Sequence, residues 1–596
     1  METVNLSTAD LIVMIVYAVF IIGYGLYSAK AKSSEEYFLA GRNMTWPIVG
    51  ISLFAANISS STLVGLAADA YKTNTQVFNY EWSASVVLVF FAIFFLPFYL
   101  KSKIYTMPEF LERRFDARSR YYFSFVTIVG NVLIDTAAAL FVGTVVLKLL
   151  FPSLSTAVIV GILAVCAAAY TIPGGLNSVI QTEVIQAILL VIGSCLITYF
   201  AFAEVGGWEG MIAGLNELGA AGDLPQVNGV DVVASGFAEG TAVSEIPLVD
   251  RVYHEEFYQP ANAEEVLSLI RPASDEFMPW TGLVLGVPIL GFYFWANNQF
   301  MVQRVLGAKN VDHGRWGALF AGLLKLPVLF IMVIPGTIAI LMFNDLDISG
   351  FGYKLPNQEI CENLIDCPSA TYPLLLKRLL PTGILGLVLA GLLAAMMSSV
   401  SATFNSASTL ITMDFVKKLR PEMTSKQLVR TGQISTLILV ILACLWAPQI
   451  EKFESLFGYL QLVLSFIAPP VAATFIVGLF WKRANAAGSF YSLMFGFAYA
   501  IIYLVASVGL EMDNSFTNMH FLHRTCLLFW LCIFVHVLVS SLTPPPPAEK
   551  IEGYTYSRNI IREETAELAD VPWYKNYRVQ SVILLIVTML LVGWFW

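Results

Sequence analysis

The chain has 596 residues, of which 57% are hydrophobic and only 13% charged, with a mean hydropathy of +0.70 and a net charge of −9. This balance excludes a soluble enzyme built around one buried core and describes a polytopic membrane protein. The segment 204–278, with 14 acidic and 2 basic residues, more than accounts for the net negative charge, so no nucleic-acid partner is expected.

Windows of roughly 18 or more apolar residues predict fourteen spans, an all-α architecture. The first, 9–28, is expected to stay as a helix, because Glu2 and Asp10 stand where a signal peptide carries basic residues and no small-residue cleavage site precedes Lys30. The second, 46–71, is interrupted at Asn57-Ile58-Ser59-Ser60-Ser61-Thr62. Backbone away from helical geometry survives at membrane depth only where protein or a wet cavity satisfies it, so the interruption predicts a solute or ion site. The third span, 79–100, opens on Tyr80-Glu81-Trp82; the fourth, 121–151, contains Asp135; the fifth and sixth are 155–173 and 181–203, the latter with Glu183. The acidic connection that follows reads as a solvated, partly disordered insertion in preference to a solute-collecting vestibule.

The seventh span, 279–303, carries Gly286, Pro288 and Gly291, which can break it, and then Phe292-Tyr293-Phe294-Trp295-Ala296-Asn297-Asn298-Gln299. Such a run suits stacking and hydrogen bonding of a polar ring, or else forms an interfacial aromatic belt. The eighth, 317–343, places Lys325 near mid-membrane, where an ammonium must face a cavity or a carboxylate. The ninth, 381–413, contains Ser398-Ser399-Val400-Ser401-Ala402-Thr403, alone an ordinary packing stripe. The remaining spans are 431–448, 456–481, 485–507, 522–543 and 579–596. A hard monovalent cation needs several oxygen donors of modest charge, and a broken helix supplies free carbonyls while a Ser-Ser pair supplies hydroxyls. The break at 55–62 and the pair Ser398-Ser399 together predict a sodium site.

Of the 34 basic residues, 24 fall on one set of alternating connections and 8 on the other. The positive-inside rule puts the richer set in the cytoplasm and both termini outside a cell membrane. Cys361 and Cys367, in an outer connection, can pair if that compartment is oxidising; the other five cysteines lie in or beside spans. Nucleotide loops, nucleophile elbows and histidine clusters are lacking, so the sequence does not read as an enzyme. It also lacks the appended signalling domain of a sensor and the filter repeat of a channel, which are the rival classes.

The segments Phe38–Asn43 (FLAGRN), Tyr105–Phe115 (YTMPEFLERRF), Thr171–Leu176 (TIPGGL), Asn405–Asp414 (NSASTLITMD), Ala468–Arg483 (APPVAATFIVGLFWKR) and 275–280 (DEFMPW) resemble the solute:sodium symporters, sodium/glucose cotransporter branch. The resemblance implies a peripheral first helix and inner loop (1–45), an inverted repeat of five plus five helices (46–203 and 279–481) joined by the outer loop 204–278, and peripheral C-terminal helices (482–596), with the second and seventh spans discontinuous. It implies sodium held by carbonyls of Ala55, Ile58 and Ala395 and hydroxyls of Ser398 and Ser399. It maps a sugar site onto Asn57, Glu81, Trp295, Lys325 and Gln461, flanked by Tyr80. Similar loops in the family carry paired cysteines.

Departures bear on the solute. Thr62, Gly291 and Phe294 stand where sugar transporters have His or Gln, a polar residue and a stacking Tyr, and Asp135 falls about where one relative has Asn. A carboxylate there adds an acceptor or favours a cationic group. For a second sodium, Glu183 and Ser401 supply part of the family's set while Ala402 withholds a hydroxyl, so one sodium is expected over two. The reading is a sodium-coupled symporter importing a hexose-like solute by alternating access, with inositol, an amino sugar or sialic acid as alternatives.

Overall fold

The computed structural model describes residues 6–596 except 30, 32, 152–153, 226, 234–251, 259, 274, 276, 345, 352–359, 449–455, 511 and 513. Among the described residues, eleven helices are long and apolar enough to cross a membrane, or twelve with the bent pair Val311–Lys325 and Leu329–Phe343. Leu, Val, Ile and Phe on all faces of these helices leave no polar side to turn to water, as expected for helices whose outer surface meets lipid.

Helix α1 spans Thr8–Ser28. The second span is two helices, α2 (Trp46–Asn57) and α3 (Ser60–Thr73), joined by extended backbone at Ile58 and Ser59. Helix α2 starts at a Pro in its first turn, and α3 starts from a capping box in which the Ser59 and Thr62 side chains each bond the other's backbone amide. The polar run therefore supplies the caps that a mid-membrane break requires. Helix α4 (Asn79–Phe90) follows, then the short α5 (Met107–Arg114) between spans. A π-turn at Asn131–Thr136 separates α6 (Ala117–Gly130) from α7 (Ala137–Leu150).

Where the hydropathy pattern predicts separate fifth and sixth spans, the structure has one helical path, α8 (Thr156–Val205), of 50 residues. It bends at Gly175, whose φ of 55° and ψ of −149° are open to glycine and not to a side-chain-bearing residue. A Cβ there would lie 2.4 Å from the Tyr37 carbonyl oxygen. The acidic connection carries a helix over Gly207–Ala221 and an antiparallel ribbon pairing Val227 with Tyr258 and Val233 with Val252. Among the described residues this two-stranded ribbon is the one sheet, and the fold is otherwise helical as expected.

In the seventh span a first helix, Trp280–Leu285, ends at Gly286, while the extended break falls later, past Pro288 and Gly291. Gly286 keeps helical backbone angles, Pro288 lies in the first turn of α9 (Val287–Phe292), and a π-turn over Tyr293–Asn297 leads to extended backbone at Asn298. The Asn298 side chain then caps α10 (Gln299–Leu306). Proline near a helix start removes an amide that has no acceptor anyway, which is why Pro288 is accommodated where α9 begins. Helix α11 (Val311–Lys325) packs against α2, and α12 (Ile384–Leu410) packs against α8.

Helix α12 starts at Gly383 with no cap from its own side chains. Asp10 of α1 caps it instead: Oδ1 accepts from the Gly383 and Gly386 amides at 2.8 Å each. The approach is close, since a Cβ on Gly386 would lie 2.6 Å from the Asp10 Cα. The C-terminal helices are α13 (Leu456–Phe480), α14 (Ala486–Leu504), α15 (Phe521–Leu542) and α16 (Tyr577–Trp594).

Candidate functional site

Three of the residues singled out in the sequence meet at a fourth, Lys325. Its ammonium, on a side chain only 1% exposed, donates to Asn57 Oδ1 at the end of α2 and to Glu81 Oε2 on α4. The same Nζ lies 5.8 Å from the centroid of the Trp295 ring and 6.0 Å from that of Phe54. The cluster joins the broken second span, α4, the π-turn of the seventh span and α11. A charge at this depth has the partner that burial demands, and one of its three protons remains for another acceptor.

The flanking residues fall around this hub. Thr62 Oγ1 donates to the Asn57 carbonyl at 3.1 Å, so it helps hold the break. Phe294 stacks edge-on against Trp295 with centroids 5.4 Å apart, and Tyr80 meets Phe277 at 6.4 Å in the same way. Asp135, half-buried on the π-turn after α6, lies close enough to Tyr293 to interact with it electrostatically. The Gln461 side chain lies outside the described residues.

The carbonyls of Ala55 and Ile58 are left free by the break. In an unbroken helix the Ser59 and Thr62 amides would reach them, but Ser59 donates to the Asn57 carbonyl and Thr62 to Ser59 Oγ. Across from them on α12, Ser398 Oγ donates to the Ala55 carbonyl at 3.3 Å. Ser399 Oγ is buried without a partner. Freed carbonyls beside a pair of hydroxyls, one unsatisfied, fit a small hard cation. Ala395 lies one turn before Ser399 on the same buried face of α12.

Glu183 and Ser401 are engaged apart from each other. Glu183, fully buried, forms an ion pair with Arg304 of α10 and accepts from Ser52 of α2. Ser401 Oγ donates to the Tyr170 hydroxyl at 2.8 Å. Arg304 escapes the sequence reading because it lies one residue past the apolar window and counts there as a loop charge.

Asp69, on α3 within the second span, escapes as well. One of its carboxylate oxygens is buried without a partner, and the group interacts electrostatically with Tyr80. A charge inside an apolar span is the signal that finds it. On the basic-rich face, Asp414 accepts from Thr106 at 2.7 Å and pairs with Arg120, while Glu112 pairs with Arg120 and Lys418.

The profile of the sodium:solute symporter family matches residues 37–496. The chain is 32% identical over 592 residues to sodium/glucose cotransporter 4 of Danio rerio, covering 96% of this chain and 84% of that one. It is 31% identical to the sodium/myo-inositol cotransporter of Homo sapiens, covering 95% and 78%. A sodium-coupled sialic acid symporter, solved in a substrate-bound outward-open state, superposes with a TM-score of 0.70 at 21% identity over 90% of this chain and 99% of that one; at that identity the match speaks to fold alone. On the strength of the profile and of relatives matched over more than three-quarters of their length, the chain belongs to the sodium:solute symporter family.

Proposed function

We propose that the protein imports a neutral, hexose-type polyhydroxyl solute together with sodium. The observation that carries this reading is the Lys325 hub: an ammonium and a carboxylate held together beside an indole ring offer one donor and several acceptors against an apolar face. That is the chemistry of a sugar ring. Asn57, Glu81, Trp295 and Lys325 bind it, with Thr62, Tyr80, Asp135, Phe294 and Gln461 around them. A second reading rests on Asp135, whose carboxylate suits an amino sugar; inositol is the further alternative, a solute carried by the human relative.

Sodium takes the carbonyls of Ala55, Ile58 and Ala395 and the hydroxyls of Ser398 and Ser399. By drawing α2 and α12 together across the break it favours the state that accepts solute, and alternating access then carries both inward. Coupling requires both ligands to prefer the same state, since a ligand with no preference shifts nothing. One sodium per solute is favoured: Glu183 and Ser401, the donors available for a second, already hold Arg304 and Tyr170.

The architecture we infer is fourteen spans with a five-plus-five inverted repeat and both termini outside. Helix α8 supports the count. At 1.5 Å per residue its 50 residues extend about 75 Å, more than twice a hydrocarbon core of about 30 Å, and Gly175 divides it.

The test is transport in liposomes with an inward sodium gradient and labelled glucose, galactose, inositol, glucosamine and sialic acid. Sodium-dependent accumulation of a hexose supports the proposal. Downhill flux indifferent to sodium refutes symport, and accumulation of glucosamine alone moves the assignment to the reading built on Asp135.

A further inference from the structure

A connection between two spans ordinarily meets water, yet every residue from Asn74 to Asn79, between the second span and α4, is 0% exposed. The connection folds as a 3₁₀ turn, Asn74–Phe78, and is covered by the segment 261–273, the last part of the acidic connection, which carries the short helix Ala263–Leu267. Two side chains fasten the turn to its cover. Thr75 Oγ1 donates to the Val266 carbonyl at 2.8 Å, and Asn79 Nδ2 donates to the Leu269 carbonyl at 2.6 Å. The apolar side chains beside these bonds, Val266, Leu267 and Leu269, are buried. Asn79 is the first residue of α4 and stands two residues before Glu81, so the cover is tied to the helix that carries one side of the solute hub.

The polar groups beneath the cover are incompletely satisfied. Asn74 has neither Oδ1 nor Nδ2 bonded among the described residues, and Gln76 Oε1 is likewise without a partner, while its Nε2 reaches Asp275 Oδ2 only at 3.5 Å. Asn74 also adopts φ 66° and ψ −164°, backbone that suits glycine and strains an asparagine. Buried amides give up water when the cover closes and recover it when the cover lifts, so these groups oppose the two latching bonds. On its other side the cover is anchored: the Ala263 amide donates to Asn216 Oδ1 at 2.9 Å, and the Leu269 amide to the Phe595 carbonyl at 2.8 Å. The helix Gly207–Ala221 approaches closely there, since a Cβ on Gly219 would lie 2.2 Å from the Ala261 carbonyl oxygen.

Lys325, Glu81 and Trp295 are themselves buried. A solute arriving from outside reaches Glu81 only after something above the start of α4 moves, and the segment bonded to that start is this one. We propose that the segment 261–273 is an outer lid, latched shut by Thr75 and Asn79 and biased toward opening by Asn74 and Gln76, whose lifting admits solute to the hub. The proposal rests on the reading of Lys325 and Glu81 as the solute site and on the orientation inferred above.

The test reads the lid separately from transport, in the full-length protein expressed in intact cells. Gln76→Cys places a thiol under the lid, and its modification by a membrane-impermeant maleimide added outside is followed by mass spectrometry, with the unsubstituted protein as the background for native cysteines. Modification is expected to be slow, and about tenfold faster when Thr75→Val or Asn79→Asp is added. Asn79→Asp removes the donor and keeps the oxygen that accepts from Trp82 Nε1. In a second arm Asn79→Cys/Leu269→Cys is oxidised, and the cross-link is verified by peptide mass. Sodium-driven uptake is expected to be lost and to return on reduction, with unsubstituted protein treated alike as control. Modification that is fast in Gln76→Cys alone, or equally slow in all three backgrounds, overturns the proposal, as does undiminished uptake through cross-linked protein. The expected modification rates without sodium-driven uptake in the unsubstituted protein would overturn the symport reading and leave the latched lid standing.

Discussion

Replacing Lys325 by alanine leaves the Glu81 carboxylate at membrane depth without its counter-charge. The two side chains are 1% and 9% exposed, so water reaches neither well enough to compensate. Removing one member of a buried ion pair costs about 3–5 kcal/mol of stability. Of the three Nζ protons, two are committed to Asn57 and Glu81; losing the third as a charged donor to solute costs about 2 kcal/mol, roughly thirtyfold in affinity. Lys325→Ala and Glu81→Ala are each expected to abolish uptake. The double variant Lys325→Met/Glu81→Gln removes both charges and is expected to regain most of the stability and none of the affinity. Thermal unfolding and equilibrium solute binding at saturating sodium separate the two effects. Near-normal solute affinity in either single variant would refute the reasoning and assign the pair to structure alone.

Ser399→Ala removes the buried unpartnered hydroxyl and is expected to lose sodium-driven uptake, whereas Ser401→Ala, which releases only Tyr170, keeps most of it; a sodium-to-solute ratio near two from reversal potentials, reduced to one by Ser401→Ala, would sink the single-ion reading. Cys361 and Cys367 are joined in a disulfide with Cα atoms 6.1 Å apart, six residues apart in sequence. So short a loop contributes about 2 kcal/mol, and free thiols at both positions in non-reducing mass spectrometry would remove the bridge from the account. Burial alone would raise the Glu112 carboxyl, but hydrogen bonds from Lys418 and Arg120 outweigh it and hold the group below its ordinary range. Its contribution to stability is therefore full at neutral pH and lost as pH falls through that lowered value. Glu112→Gln should flatten the acid limb of the unfolding curve and leave the alkaline limb alone.

The break in the second span was legible because five hydrogen-bonding side chains in an apolar run have no other economical explanation, and Ser59 and Thr62 do cap the second half-helix while Thr62 also holds the Asn57 carbonyl of the first. Lys325 was legible as a charge that needed a partner, and Glu81 supplies it. The seventh span was legible in part, since Gly286 does end the helix Trp280–Leu285. Glycine and proline mark where a helix can yield, whereas the turn at Asn298 follows from a π-turn and an amide cap, neither of which has a composition of its own. Glu183 was visible as an intramembrane carboxylate, but its partner is contributed by a residue distant in sequence, and a one-dimensional pattern does not show which of two cations, sodium or Arg304, will stand beside it.

On the proposed sodium site, Asp10 would give the first helix a part in ion binding. It is the side chain that caps α12 at its N-terminal end, and α12 carries Ser398 and Ser399 about four turns further on. The axial position of the two hydroxyls is thus referred to a carboxylate near the start of the chain. Shortening the protein at its N-terminus, or fusing a reporter into that first helix, would then alter sodium affinity as well as expression, so an N-terminally trimmed variant is a poor baseline for ion titrations.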